Sequence, residues 1–333
     1  MRRAFKWIAF LGGLALVAWI ASGTDLGTVA RTVARLSLGG IAAVCAIFAI
    51  GIFADVGAWK LMFAVEARES LTLARLWLVQ MVGEAMSVLM PFGSLGGEPI
   101  KALLLKKQYN VSYPQSAASL TLIQTVNTLA EVPLVLVGLA LAVHSGILPP
   151  LARTLMIAAC ACLTVFIGLV LGALHLRLLV VLQRRLERSR FGAKLAGLLV
   201  AVGEVEQHLF EFVRRTPAQF FGSLALAFFN WFCGVVEMYV ILRFLGQPVT
   251  LWDGWLIETT VVLTRNASFF VPAHMGTQDS VITVVTEAVV GSAEVGLAVA
   301  VIRRARELIW SAVGLVIGGW FGLKPTAALE APP

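Results

Sequence analysis

The chain has 333 residues, 59% of them hydrophobic and only 14% charged, and a formal net charge of +7 at neutral pH. Soluble domains are roughly 45–50% apolar, so this composition excludes an ordinary soluble globular protein. The positive charge would suit nucleic acid, but the basic residues sort to one side of a membrane, and that distribution excludes nucleic acid as the partner.

A hydrocarbon layer about 30 Å thick needs roughly 20 apolar residues per helix. The first candidate, 7–22, follows Arg2, Arg3 and Lys6 and is expected to stay as a helix, because no clean small-x-small cleavage site follows it. Further apolar runs cover 38–59, 115–143, 151–176, 217–242 and 308–323. All four cysteines, Cys45, Cys160, Cys162 and Cys233, fall inside these runs, with no zinc spacing and no disulfide framework.

With the N-terminus in the cytoplasm, the inner loops carry Arg2, Arg3, Lys6, Lys60, Arg68, Arg75, Lys101, Lys106, Lys107, the eight basic residues of 177–215 and Lys324. The outer loops carry only Arg31, Arg35, Arg153 and Arg243. That asymmetry follows the positive-inside rule. It requires 76–100 to leave the cytoplasmic side and return to it, and 254–292 to do the same from the outer side. Each stretch is expected to be a re-entrant or closely paired helical hairpin followed by a full span. Interrupted segments in corresponding places of two halves are the hydropathy pattern of an inverted repeat, with the substrate site near the midplane.

The expectation is an all-α polytopic membrane protein with about six full spans and two broken hairpins in an inverted repeat, both termini cytoplasmic. A single transmembrane domain would cover 1–323, its first half being 1–145 and its second 216–323. Between them, 176–215 reads as a cytoplasmic amphipathic connector lying on anionic inner-leaflet lipids. A short tail, 324–333, follows.

The first interruption is "PFGSLGGEPIKALLLKK", 91–107. Pro91 stops the incoming helix, Gly93, Gly96 and Gly97 permit turns, and Glu98 with Pro99 can begin the return helix. Lys101, one turn on, can pair with Glu98, while Lys106 and Lys107 are placed to meet phosphates at the inner interface. Glu84 lies inside "LWLVQMVGEAMSVLM", and a carboxylate at that depth is a functional candidate by default. Alternatively, Glu98 only caps a helix and Glu84 is a neutral acid bonded across helices.

The next run carries Thr121, Gln124, Thr128 and Glu131 at helical spacing, with Asn127 beside them, giving one polar stripe on an apolar helix. That stripe lines a headgroup path or joins helices. In the second half, "LTRNASFFVPAHMGTQD", 263–279, places Arg265 and Asn266 ahead of a Pro272–Gly276–Gln278 loop. Arg303, Arg304 and Arg306 then open a membrane-crossing helix, where forked donors suit a lipid phosphate. Arg303 and Glu307, one turn apart, could pair instead. HExxH, GxSxG, Walker and dinucleotide-binding signatures are all missing, so neither an enzyme activity nor a cofactor is expected.

"MPFGSLGGEPIKALLLKK" with "SAASLTLIQTVN", and "RNASFFVPAHMGTQDSV" with "LAVAVIRRARELIWSAVGL", resemble the two signature regions of the lysylphosphatidylglycerol synthase transmembrane (flippase-like) superfamily. The "RRARE" helix is most similar to the hopanoid-biosynthesis-associated branch. The resemblance covers nearly the whole chain. It implies a multi-pass bacterial inner-membrane lipid transporter or flippase that handles a polar-headgroup or isoprenoid, hopanoid-related lipid. In motif terms it implies roles for Gly96, Gly97 and Glu98, for Pro272, Gly276 and Gln278, and for Arg304 and Glu307. Two departures matter: the second loop reads "AHMGTQD", with Asp279 as the nearest acid, and no aminoacyltransferase domain is expected, so the synthase activity in the superfamily's name is not carried over. The alternative is a membrane-embedded enzyme or scaffold of lipid or glycolipid biosynthesis. Homo-oligomers and lipid-biosynthesis proteins are the other partners that the sequence leaves open.

Overall fold

A computed structural model describes residues 37–89, 97–146, 214–268 and 276–321, with residues 154, 157, 158 and 161. The expected helix at 7–22, most of the 151–176 run, the connector up to 213 and the tail lie outside the described residues.

Every regular element among the described residues is a helix. In chain order these are α1 (Leu38–Leu61), α2 (Val65–Ser70), α3 (Leu73–Leu89), α4 (Glu98–Tyr109), α5 (Tyr113–Ser145), α6 (Pro217–Phe244), α7 (Leu251–Ala267), α8 (Thr277–Val290) and α9 (Ala293–Trp320). Among them α1, α5 and α6 are long and apolar enough to cross a membrane.

The ends of the helices follow from local chemistry. The hydroxyl of Ser37 accepts the Gly40 N–H at the start of α1, and that of Ser292 accepts the Val295 N–H at the start of α9. Ser112 and Gln115 form a reciprocal capping box on α5, which ends at Gly146 in the left-handed region. Pro133 sits within α5 and removes one donor from its ladder. The adjacent Leu134 carbonyl is occupied from outside the helix, accepting from Trp255 Nε1 at 2.9 Å and Thr259 Oγ1 at 3.3 Å, both on α7.

Two glycines just ahead of helices serve different ends. Gly97, just before α4, packs so closely on the Gly83 carbonyl and the Ser87 hydroxyl of α3 that a Cβ would collide with both. Gly276, just before α8, has φ +82°, which L side chains rarely adopt. Its N–H donates to the Asp279 carboxylate at 3.1 Å.

Two apolar clusters hold the bundle. One joins α1, α3, α4, the first half of α5 and the start of α6 around Trp59, Leu76, Ile100 and Val126. The other joins the second half of α5 to α6, α7, α8 and α9 around Leu134, Met238, Ile257 and Val299. The contacts form a matched pattern: α3 packs on α4 as α7 does on α8, α4 on α5 as α8 does on α9, and α1 on α3 as α6 does on α7. Each hairpin also packs on the other half's long helix, α3 on α9 and α7 on α5. The outer surface is apolar, with Leu38, Phe221, Trp252, Val316 and Trp320 exposed.

One expectation is corrected. The run at 308–323 does not begin a separate helix and the arginines do not open one, because α9 runs unbroken from Ala293 and carries Arg303, Arg304 and Arg306 in its middle. Charge is tolerated there because carboxylates on neighbouring helices meet it.

Candidate functional site

A cavity of about 420 Å³ lies where α1, α3, α5, α6, α7, α8 and α9 meet. Helices that are apolar on the outside turn their polar residues toward it. From α5 come Gln124, Asn127, Thr128 and Glu131, so most of the stripe seen in the sequence lines this space. Glu84 comes from α3, Arg265 and Asn266 from α7, and Gln278 from α8. Arg303, Arg306 and Glu307 come from α9. A smaller cavity of about 110 Å³ brings Glu98 and Lys101 of α4 to Glu84, Gln124 and Asn127.

Gly97 and Gly276 line neither cavity and set the starts of α4 and α8, while Arg304 sits beside the larger cavity without lining it. Gly96 and Pro272 lie outside the described residues. Lys106 and Lys107 are exposed in the last turn of α4.

The second half of the site is charge-matched. Arg303 pairs with Glu258 at 2.7 Å, rather than with Glu307, and Arg306 pairs with Glu237 at 2.6 Å. Arg304 is gripped by both oxygens of Asp279, at 2.9 and 2.8 Å, and pairs with Glu307 at 2.8 Å. These arginine side chains are 9%, 21% and 6% exposed in chain order. They tie α9 to α7, α8 and α6, and each of their charges is met by a carboxylate.

Arg265 differs. Its side chain is 37% exposed, its guanidinium lies 4.6 Å over the Trp231 ring, and Glu131 approaches only to 3.8 Å. Glu131 is instead bonded by Asn266 Nδ2 at 2.9 Å. Stacking on an indole fixes the guanidinium plane and leaves its edge donors directed away from the ring. Trp231 is in turn fixed by its Nε1 donating to the Asn127 carbonyl at 3.2 Å.

The first half is built around Lys101, which is buried between α3 and α4. Its ammonium is 2.8 Å from Glu98 and 4.0 Å from Glu84, and it lies over the Trp59 ring at 5.9 Å. The Glu84 side chain is half exposed, at 52%. Gln80 Nε2 donates both to Glu84 Oε1 at 3.0 Å and to Asp55 Oδ2 at 3.2 Å. Asn127 Nδ2 donates to Asp55 Oδ1 at 3.0 Å.

Asp55, Glu237 and Glu258 were not singled out from the sequence. Each is an acid inside an apolar helix, and that alone was a sufficient signal to mark them. Their partners lie 25 to 72 positions away in the chain, beyond the reach of helical spacing. No group of three or more His, Cys, Asp or Glu side chains among the described residues could hold a metal ion.

Long apolar helices around an interior polar cavity define a helical membrane protein. The chain belongs to the family described as lysylphosphatidylglycerol synthase TM region, whose model matches residues 6–314. No curated protein and no solved structure matches it.

Proposed function

We propose that the protein moves a lipid with a polar, phosphate-bearing or isoprenoid-linked headgroup across the bacterial inner membrane, through the cavity between its two halves. The observation that carries this is the 420 Å³ polar cavity inside a bundle with an apolar exterior. A volume in the range of small-ligand sites, roughly 300–1,000 Å³, fits a headgroup and leaves no room for acyl chains, which would stay in the bilayer. Membership of a family named for a lipid synthase's membrane region supports a lipid as the cargo. The hopanoid-related branch is the narrower form of this proposal.

The matched contacts of α3–α4–α5 and α7–α8–α9 support two related repeats. Glu98 and Gln278, in the first turns of α4 and α8, line the smaller and the larger cavity. Arg265 is the headgroup-binding cation in this scheme, with Asn266, Gln278 and Asn127 as neutral partners. Arg303, Arg304 and Arg306 hold the frame around it.

Headgroup accessibility in proteoliposomes tests the proposal, with labelled phosphatidylglycerol and a polyprenyl phosphate sugar as cargoes. The intact protein is expected to move at least one of them, and Arg265→Gln to slow that movement roughly tenfold to a hundredfold, the worth of one charged hydrogen bond. Folded protein that moves neither, or an Arg265→Gln variant as fast as the parent, overturns it. Turnover of a lipid substrate by purified protein would favour the membrane-enzyme alternative.

A further inference from the structure

The two cavities are lined by more acids than bases. Their carboxylates are Asp55, Glu84, Glu98, Glu131, Glu237, Glu258 and Glu307, and their cations Lys101, Arg265, Arg303 and Arg306. Arg304 with Asp279, alongside, adds a balanced pair. Glu237 and Glu258 are paired with Arg306 and Arg303, and Glu307 is shared by Arg304 and Arg306. Glu131 has Asn266 and Arg265. Glu98 takes Lys101 at 2.8 Å. The remaining two, Asp55 and Glu84, are bridged to each other by the two donations of one Gln80 amide, and the nearest cation to either is Lys101, 4.0 Å from Glu84 and already engaged.

Two carboxylates joined through a single neutral amide, inside apolar helices, repel each other in a medium that screens poorly. Adding one proton removes that repulsion. The half-exposed Glu84 gives the proton a way in from the cavity. Asn127, which holds the far oxygen of Asp55, has its own Oδ1 buried with no protein donor, an acceptor left over on the same wall. A metal ion is a poorer occupant, since both Asp55 oxygens already accept amide hydrogens and no metal-holding group exists among the described residues.

We propose that Asp55 and Glu84 form a proton-binding site whose filling admits the anionic headgroup to the cavity. The step is a simple protonation: one proton passes from water to a carboxylate oxygen, and no other bond changes. With the site empty, the paired negative charges oppose a phosphate approaching Arg265. With it filled, the opposition falls, so the proton and the headgroup favour each other's binding reciprocally. This inference rests on the lipid-transport reading for its second half only.

The full chain in phosphatidylcholine nanodiscs, followed by infrared spectroscopy from about pH 5 to about pH 9, tests the site without transport. A protonated-carboxyl band that titrates in this range is expected, and Asp55→Asn and Glu84→Gln should each remove or shift it. Retention of the parent's thermal midpoint shows that each variant is folded. Adding short-chain phosphatidylglycerol to weakly buffered protein should cause proton uptake that the Asp55→Asn, Glu84→Gln double variant lacks. In proteoliposomes, lipid movement should slow about tenfold per pH unit on the alkaline side of the titration, as one required proton dictates.

A band that never titrates, or one unchanged in both variants, overturns the site even if lipid moves at every pH. A site that responds to sodium at fixed pH and not to protons overturns it as well. Titration with no lipid movement leaves the proton site standing and removes the transport function.

Discussion

The two halves of the interior treat charge in opposite ways. Around α9 each arginine has its own carboxylate at 2.6–2.8 Å, and both members of the Arg303–Glu258 and Arg306–Glu237 pairs are less than a tenth exposed. Around α4 a single lysine serves Glu98 and Glu84, with Asp55 one amide further away. Matched buried pairs resist change, because removing either partner strands the other, whereas an under-compensated cluster changes state with one proton or one ligand. The second half is therefore the frame, and the first is the half that responds.

Breaking the frame should have the largest effect. Arg306→Ala leaves Glu237 buried without its guanidinium and is expected to cost about 3–5 kcal/mol, read as a lowered thermal midpoint or loss of folded protein in detergent. Arg303→Met combined with Glu258→Leu removes both charges and should be far milder, within about 1–2 kcal/mol of the parent, because nothing is left unpaired. If the double variant unfolds as readily as Arg306→Ala, charge matching is not what holds α9.

The next largest effect is expected at the α3–α4 seam. Gly97→Val forces a side chain against the Gly83 backbone and should cost about 1–3 kcal/mol by thermal unfolding, with Gly97→Ala smaller in the same direction. Arg265→Gln sharpens the contrast between frame and site, since its side chain is exposed and its ion pair long. Stability should change by less than about 1 kcal/mol while lipid movement falls. The smallest effect belongs to Lys106→Ala, exposed at the end of α4, which should stay within about 0.5 kcal/mol of the parent.

The start of α4 was legible in the sequence because its cause is local. Glu98 with Pro99 can begin a helix, and α4 begins at Glu98. The Lys101–Glu98 pair was legible for the same reason, being three residues apart on one helix. The arginine helix misled because hydropathy placed a boundary at the charges. The compensating Glu258 and Glu237 sit on other helices, and no local pattern shows them. Arg265 was visible as a candidate, but its standing apart from the other arginines depends on Trp231 and on the distance to Glu131, which only the packed helices establish.

The turn of α3 around Met81 to Ala85 touches backbone on two sides. Gly97 lies on the Gly83 carbonyl from one direction, and Gly314 of α9 lies on the Met81 carbonyl from the other. Where main chain meets main chain, there are no side-chain rotamers to absorb a displacement, so this turn behaves as a clamped axle between α4 and α9. Gln80 and Glu84 ride at its two ends. If the interior widens for a headgroup, as the proposed function requires, this turn is the part least able to give, and the tilt falls on elements that meet it through side chains.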